Sequence, residues 1–186
     1  MERGKVKKFR PFIFVLALGL VFPASAQISE YSVKAAYLFN FAKFVEWPSQ
    51  AFSSSLAPMI IGILGDDPFG DDLDHVVQGK MVDGHTIEIQ RFEDFGPNQA
   101  PKLRRCHILF IAYSEKDQLG DILKSLKGAS VLTVSEIENF PLRGGMILFD
   151  QAGKRINLVV NPTAARKANL EISAQLLQVS EIYESE

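Results

Sequence analysis

The chain has very little cysteine and almost no net charge. Cys106 is the only cysteine among 186 residues, so no disulfide can form within the chain, and its stability must come from a hydrophobic core. Because Cys106 opens an apolar run, a buried structural thiol is favoured over a reactive or intermolecular one. The formal net charge of −2 gives no basic surface that would attract nucleic acid.

The sequence also lacks the motifs that carry common chemistries. The segment "ILGDDPFG" (63–70) has neither the G-x-G-x-x-G spacing nor a Gly-Lys-Ser/Thr triplet, and its two aspartates would repel a phosphate. His75, His85 and His107 show no zinc-ligand spacing, and the acidic residues at 66–74 show no EF-hand spacing. A G-x-S-x-G nucleophile motif is absent. The residues therefore predict no cofactor, no metal site and no catalytic centre.

The longest apolar run lies near the amino terminus. Residues 3–10 are rich in Arg and Lys, residues 12–22 are apolar, and residues 24–26 have the small-x-small pattern of a cleavage site. An uncleaved membrane anchor is the alternative, but the run is shorter than the roughly 20 residues that a spanning helix needs. We predict a secretory signal peptide over 1–26, cleaved near Ala26, and an exported, periplasmic protein whose single domain covers 27–186.

Beyond residue 58, apolar runs alternate with helical patterns. Continuous apolar runs at 59–65, 107–113 and 130–134 predict buried parallel strands, and residues 85–92 alternate as in a half-exposed strand. Strands at 146–150 and 155–160 form a predicted hairpin, and Asn161 caps a predicted final helix. The apolar face of that helix consists of Ala165, Ala168, Ile172, Leu176 and Val179. This order predicts an α/β fold: a doubly wound, mostly parallel sheet with helices on both faces and a C-terminal antiparallel hairpin.

Small or polar residues follow the predicted parallel strands. In doubly wound folds, ligands bind at the carboxyl ends of the strands. The candidate residues for such a ligand cleft are Gly65, Asp66, Tyr113, Ser114 and Glu136. Helix capping is the simpler interpretation for some of them: Asp66 or Asp67 can cap the helix after the first strand, and Ser114 can cap a helix that runs to Lys127.

The first predicted helix, "EYSVKAAYLFNFAKFVEWP" (30–48), is unusually rich in aromatic residues and ends at Pro48. Its predicted packing face consists of Val33, Ala36, Tyr37, Phe41, Phe44 and Val45. Phe39 lies about 200° around the helix from Phe41, so the two side chains face different surfaces. Aromatic residues and Arg are enriched at binding hot spots. The candidate partner-binding residues are Phe39 and Trp47, together with Phe140, Leu142 and Arg143 of the loop at 138–145.

Six segments, in collinear order, carry a resemblance to a known family. The specific ones are the first helix (30–48) and the ending "RINLVVNPTAARKANLEISAQLLQVSEI" (155–182). Between them lie "IGILGDDPFGDDLD", "CHILFIAYSE", "VLTVSE" and "GGMILF". On these segments the chain resembles the YfiR family of periplasmic proteins (DUF4154-type) over about residues 28–184.

The resemblance implies a regulatory protein without an active site. Members of the family resemble YfiR, which binds the periplasmic domain of the inner-membrane diguanylate cyclase YfiN and inhibits it, lowering cyclic di-GMP and biofilm formation. The resemblance also implies an outer-membrane YfiB-like lipoprotein that sequesters the regulator, and a homodimer. The best-known relatives have cysteine pairs, so redox control does not carry over to a chain whose only cysteine is Cys106. A periplasmic small-molecule sensor that uses the predicted ligand cleft is the alternative.

Overall fold

The computed structural model describes residues 29–152 and 155–184. The predicted signal peptide, residues 1–26, lies outside them. In the described residues the α-helices are α1 (Glu30–Phe44), α2 (Asp71–Val77), α3 (Ala100–Leu103), α4 (Leu119–Ser125), α5 (Pro162–Lys167) and α6 (Ala174–Gln178). The strands are β1 (Val45–Glu46), β2 (Met59–Leu64), β3 (Met81–Val82), β4 (His85–Phe92), β5 (Ile108–Ile111), β6 (Leu132–Ser135), β7 (Ile147–Ala152), β8 (Arg155–Val160), β9 (Glu171–Ile172) and β10 (Glu181–Ile182). Short 3₁₀ turns lie at Ser49–Ala51 and Tyr113–Glu115.

The central sheet of the described residues has eight strands in the order β10-β8-β7-β6-β5-β2-β4-β3. Strands β4, β2, β5, β6 and β7 run parallel, whereas β7 and β8 form the predicted antiparallel hairpin. Every residue of β2, β5 and β6 is buried, as expected for continuous apolar strands covered on both faces. The predicted fold class is confirmed.

Helices cover both faces of this sheet. On one face, Phe41 of α1 and Leu73 of α2 share a core cluster with Phe110 of β5. On the other face, Leu103 of α3 and Ile122 of α4 share a second cluster with Leu109 and Ile111. Successive residues of β5 therefore point to opposite clusters, because side chains alternate along a strand. None of the helices in the described part of the chain combines the length and apolar character needed to cross a bilayer.

The buried face of α1 differs from the predicted one. Its buried residues are Lys34, Ala35, Leu38, Phe39, Phe41 and Ala42, whereas Val33 is 37% exposed. The difference arises because α1 packs against α2 as well as against the sheet, so its buried surface is wider and rotated. After Phe44 the chain becomes strand β1, which pairs antiparallel with β9.

Two predicted helix caps are wrong. Helix α2 starts after Gly70, and Asp67 instead accepts a hydrogen bond from the backbone N–H of Phe69 at 2.8 Å. Ser114 lies in a 3₁₀ turn, and α4 begins only at Leu119. The hydroxyl of Ser114 accepts a hydrogen bond from the backbone N–H of Asp66 at 2.9 Å. Neither side chain therefore caps a helix: Asp67 closes a turn within its own loop, and Ser114 joins the loops that follow β2 and β5.

The predicted final helix is also wrong, because the segment is divided. Asn161 does cap α5, accepting from the backbone N–H of Ala164 at 2.9 Å. Asn169 then adopts a left-handed conformation with φ of 59°, which ends helices. Leu170 turns into the core, and β9, α6 and β10 follow. Of the predicted apolar face, Val179 is 73% exposed.

Candidate functional site

The predicted ligand-cleft residues follow β2, β5 and β6, whose carboxyl ends meet at one edge of the sheet. The structure divides them into two groups. Gly65, Asp66 and Ser114 form a closed junction: Gly65 has φ of +89°, and a Cβ atom built on it would lie 2.3 Å from the Ser114 hydroxyl oxygen. The hydrogen bond from Asp66 to Ser114 completes this junction. It leaves little room for a ligand.

Tyr113 and Glu136, the other two predicted residues, line a real cavity. Its volume is about 360 Å³, and its wall also includes Tyr31, Lys34 and Phe149. This volume lies within the range of about 300–1,000 Å³ that small-molecule sites occupy. We refer to it below as the Lys34 cavity.

Lys34 is the central charged group of this cavity. It is 1% exposed, and its Nζ atom lies 2.5 Å from Oε1 of Glu30 and 2.6 Å from Oε2 of Glu136. The Tyr31 hydroxyl donates to Oε1 of Glu136 at 3.2 Å, and Lys34 Nζ lies 4.6 Å from the centre of the Tyr31 ring. Each donor of this group therefore has an anionic or aromatic partner.

These contacts keep Lys34 protonated. Burial by itself lowers the pKa of Lys34, but the hydrogen bonds to Glu136 and Glu30 outweigh burial, and the net pKa is above its usual value. Burial, followed by the charge of Glu136, raises the pKa of the Tyr31 hydroxyl. At neutral pH the group is thus an ammonium ion between two carboxylates, with a neutral phenol beside them.

The rest of the Lys34 cavity is acidic and aromatic. Glu138 and Asp150 lie on its wall with Glu30 and Glu136, so four carboxylates face one ammonium group. Tyr31, Tyr113 and Phe149 supply aromatic surface. Such a wall can hold a positively charged or hydrogen-bond-donating group, and it contains no Ser, Cys or His that could act as a nucleophile or general base.

Sequence reasoning missed Lys34, Tyr31 and Glu30. One signal was available: Lys34 lies four residues before Leu38 on the buried side of the helix, where an unpaired lysine would be costly. Its partner Glu136 lies 102 residues away in sequence. A buried lysine in an apolar helix indicates that partners exist, but it does not identify them.

Two predicted partner-binding residues, Phe39 and Trp47, pack against the core. Phe39 is only 8% exposed and packs in the core cluster that includes α2, with Nζ of Lys43 and of Lys80 each 4.5 Å from its ring centre. Trp47 is half-buried, and its indole N–H donates to the carbonyl of His107 at 3.2 Å. Phe39 therefore has no free aromatic face, whereas Trp47 is partly exposed and lines a surface cavity of about 530 Å³.

Phe140 must be corrected outright, because its side chain is fully buried. It belongs to the second core cluster, and a Cβ atom on Gly145 would lie 2.2 Å from its ring. The loop turns Phe140 inward and presents its neighbours outward: Leu142 is 67% exposed and Arg143 is also exposed. Leu142 and Arg143 are therefore the exposed members of the predicted set, and Trp47 is partly exposed.

Leu142 lies beside the edge of the sheet that ends in β10. Leu142, Val159 and Tyr183 line one shallow cavity of about 450 Å³. Val179 and Ile182, on either side of the start of β10, are 73% and 40% exposed. In the described residues β10 has only β8 as a neighbour, so its other side is an open strand edge. We call this region, with Leu142, Arg143, Val179, Ile182 and Tyr183, the β10 edge surface.

No metal site accompanies these features among residues 29–152 and 155–184. No group of three or more His, Cys, Asp or Glu side chains there could hold an ion. Asp67 and Asp74 are bound instead by the guanidinium of Arg91, at 2.7 Å and 2.5 Å. Cys106 is buried, and burial raises the pKa of its thiol to about 12, so the thiol is protonated and unreactive at neutral pH.

Comparison with known proteins places the chain in a family. No curated protein matches it. The fold is similar to the crystal structure of a conserved domain protein from Vibrio cholerae O1 biovar El Tor str. N16961, with a TM-score of 0.57 and 12% identity over 84% of this chain. The matched region spans 60% of the Vibrio chain. At this identity the likeness concerns the fold alone.

The sequence model of one family covers most of the chain. It is described as YfiR/HmsC-like (DUF4154) and matches residues 31–181. The proteins of this family are periplasmic and regulatory, not catalytic. The match begins within α1 and ends within β10. It includes the Lys34 cavity apart from Glu30, and it includes Leu142, Arg143 and Val179 of the β10 edge surface but not Ile182 or Tyr183. The chain belongs to the YfiR/HmsC-like family.

Proposed function

We propose that this protein is a periplasmic regulator that binds the periplasmic sensor domain of an inner-membrane diguanylate cyclase and inhibits it, which lowers cyclic di-GMP. The family match over residues 31–181 is the observation that carries the proposal. Inhibition requires the regulator to bind one conformation of the cyclase more tightly than the other, since equal affinity for both would shift nothing.

The β10 edge surface is the part of the described structure best suited to hold such a partner. Leu142, Val179 and Ile182 expose apolar side chains there, and Arg143 adds a charged group of the type that is frequent at binding hot spots. An open strand edge offers backbone N–H and C=O groups to a partner strand. The surface therefore combines backbone pairing with apolar contacts.

The experiment measures binding of the mature protein to the purified periplasmic domain of a membrane diguanylate cyclase encoded beside it. Leu142→Asp should weaken binding by at least about tenfold, because it places a charge within the apolar contact. Leu56→Asp is the matched control: Leu56 is 85% exposed but lies in the 49–58 loop, and its variant should bind as the wild type does. The same variants are then compared for inhibition of the full-length cyclase.

Two results would contradict this proposal. If the wild-type protein binds no such periplasmic domain, it does not regulate a diguanylate cyclase in the proposed way. Equal weakening of binding by Leu142→Asp and Leu56→Asp would show that the cyclase domain does not bind at the β10 edge surface. A YfiB-like outer-membrane lipoprotein that sequesters the regulator, and a homodimer, belong to the same proposal. They are checked by competition for the cyclase domain and by light scattering.

Small-molecule sensing in the Lys34 cavity is the second candidate function. A volume of about 360 Å³ with a preorganised Lys34–Glu136 pair and exposed Tyr113 favours it. A thermal-shift screen of periplasmic metabolites tests it. A ligand that raises the melting temperature of the wild type, but not that of Tyr113→Ala, supports it. Tyr183→Ala is the control. A screen without any shift counts against sensing at this cavity.

A further inference from the structure

His107 lies at the amino-terminal end of β5. The Lys34 cavity lies at the opposite, carboxyl-terminal ends of the parallel strands. Its side chain is 3% exposed, and Nδ1 accepts a hydrogen bond from the backbone N–H of Ile60 at 3.0 Å. A backbone N–H can only donate, so Nδ1 carries no proton. The proton of the neutral imidazole must then be on Nε2.

This Nε2–H group has no hydrogen-bond partner among the described residues, although it is buried. A backbone interaction with Ala51 raises the pKa of His107, but by less than burial and His85 lower it, and no acceptor meets hydrogen-bond geometry at Nε2. Burial, and then the charge of His85, lowers the pKa of His107 to about 4. At neutral pH the ring is therefore a neutral donor without a well-formed hydrogen bond, which is unusual for a buried polar group.

The ring is held firmly in this orientation. Phe52 lies between two imidazoles, with its centre 4.2 Å from that of His107 and 3.9 Å from that of His85. Nδ1 of His85 is 2.6 Å from the carbonyl of Ala57, which holds the 49–58 loop over the site. The Trp47 indole meets the edge of the His107 ring. A fixed donor can bind an acceptor without the cost of ordering it.

His107 lines a cavity of about 400 Å³ whose wall is rich in hydrogen-bond donors. Gln50, Ser53 and Arg105 contribute an amide, a hydroxyl and a guanidinium. Arg105 is exposed and forms no ion pair with the described residues. Arg104 is also on the wall, but its guanidinium donates to the carbonyls of Ser125 and Lys127 at 2.9 Å each.

One acidic residue opposes this set of donors. Glu88 lies on the same wall, where one of its oxygens accepts a hydrogen bond from the Gln90 amide at 3.0 Å. Arg104 and Arg105 together outnumber it. The wall therefore has a positive charge and unused donors, the combination that recognises an oxyanion. It is the opposite of the acidic wall around Lys34.

We propose that this cavity binds the carboxylate or phosphate group of a small molecule, with Nε2–H of His107 donating to an oxygen and Arg105 balancing the charge. An oxyanion supplies the acceptor that His107 lacks. The proposal is independent of the cyclase-binding function, because it concerns other residues at another edge of the sheet.

Nuclear magnetic resonance of the imidazole groups tests this directly, since the sequence has only His75, His85 and His107. The mature protein is titrated at pH 7.5 and constant ionic strength, with inorganic phosphate in one series and acetate in the other. We expect a saturable shift of the Nε2–H signal of His107 in at least one series. The series that saturates identifies the anion as phosphate-like or carboxylate-like.

Arg105→Gln should weaken the binding by about tenfold or more, because it removes the cation that faces the ligand. Lys102→Gln is the matched control. It also removes one positive charge, but Lys102 lies in α3 and does not line the cavity. Both positions are exposed, so neither variant disturbs the core. A His107 signal that does not saturate with either anion overturns the proposal. Equal weakening by both variants also overturns it, because it would show a general charge effect.

Discussion

One basic side chain is buried at each end of the parallel strands of the central sheet. Lys34 is charged, and His107 is neutral. At the carboxyl edge, Lys34 is 1% exposed and lies within 2.6 Å of two carboxylates. At the amino edge, His107 is 3% exposed and has a single hydrogen bond, from a backbone N–H. Burial disfavours the charged form at both sites. Lys34 stays charged because Glu30 and Glu136 compensate for lost hydration, whereas His107 has no carboxylate partner and stays neutral.

The difference separates two kinds of buried polar site. The Lys34 group is internally satisfied, so its main effect is to fix α1 against the end of β6. The His107 site retains a donor without a well-formed hydrogen bond, which is the basis for the oxyanion that we propose there. Depth of burial does not distinguish them. The two sites differ in the charge and hydrogen-bonding capacity of their neighbours. The following variants test this difference, from the largest expected effect to the smallest.

Glu136→Ala should have the largest effect. Lys34 then stays buried with Glu30, which is partly exposed, as its only carboxylate partner. Breaking a buried ion pair in this way costs about 3 kcal/mol of unfolding free energy. Urea denaturation at pH 7 measures the loss. Glu138→Ala, an exposed carboxylate two residues away, should change stability by less than about 0.5 kcal/mol. Similar losses in both variants would mean that the ion pair does not stabilise the fold.

Acidification should weaken the fold through His107. Its pKa is about 4 in the folded protein, against an ordinary value of 6.5 for a histidine of the unfolded chain. Between these values the unfolded state binds more protons, so stability falls as the pH drops from 6.5 towards 4, by up to about 3 kcal/mol. His85, Glu88, Arg104 and Arg105 are the titratable groups that face this site.

Unfolding free energies of the wild type and of His107→Phe, measured from pH 7.5 to 4, give the contribution of this one group. The variant should lose less stability over that range than the wild type. His75→Gln, a change at an exposed histidine, should follow the wild-type curve. Parallel curves for the wild type and His107→Phe would show that His107 is not kept neutral by the fold.

Phe52→Ala should have an intermediate effect, because it removes the ring between His85 and His107. Two stacked aromatic contacts are lost, at about 1–2 kcal/mol together. Water then reaches His107 and raises its pKa towards 6.5, which an imidazole titration by nuclear magnetic resonance measures. Phe95→Ala, at another half-buried phenylalanine, should lower stability but leave the pKa of His107 unchanged. An unchanged pKa in Phe52→Ala would show that Phe52 does not shield the ring.

Tyr31→Phe should have the smallest effect. It removes only the hydroxyl that donates to Glu136, while the Lys34 contacts remain, so we expect a loss of about 1 kcal/mol or less. Tyr37→Phe is the control, because the Tyr37 hydroxyl has no hydrogen bond to the described residues. In urea denaturation, Tyr31→Phe should lose less unfolding free energy than Glu136→Ala. The reverse order would assign the stability of this site to the tyrosine.

Much of the fold could be read from local patterns. Strands β2, β5 and β6 are continuous apolar runs bounded by polar residues, and β7 and β8 pair as the predicted antiparallel hairpin. Their order alone predicted a mostly parallel sheet covered on both faces. The collinear segments also predicted the family that the comparison then showed. The strands and the hairpin depend on residues close in sequence, which is why local patterns were enough to predict them.

Only the tertiary structure decided how the ends of those elements are used. The rotated face of α1, the break at Asn169 and the inward turn of Phe140 each depend on what the rest of the chain packs against them. Of the predicted cleft residues, Tyr113 and Glu136 line the Lys34 cavity, whereas Gly65, Asp66 and Ser114 form the closed junction.

The two buried basic groups show the physical reason most directly. Lys34 and Glu136 are 102 residues apart in sequence, and Ile60 and His107 are 47 apart. The cost of burying a polar group depends on which partners reach it, and a side chain's own sequence neighbours do not specify them. The sequence did not predict that Lys34 is buried, but it did predict His107 at the start of a buried strand. The packing of distant elements decided that one is paired and charged and the other neutral with a donor to spare.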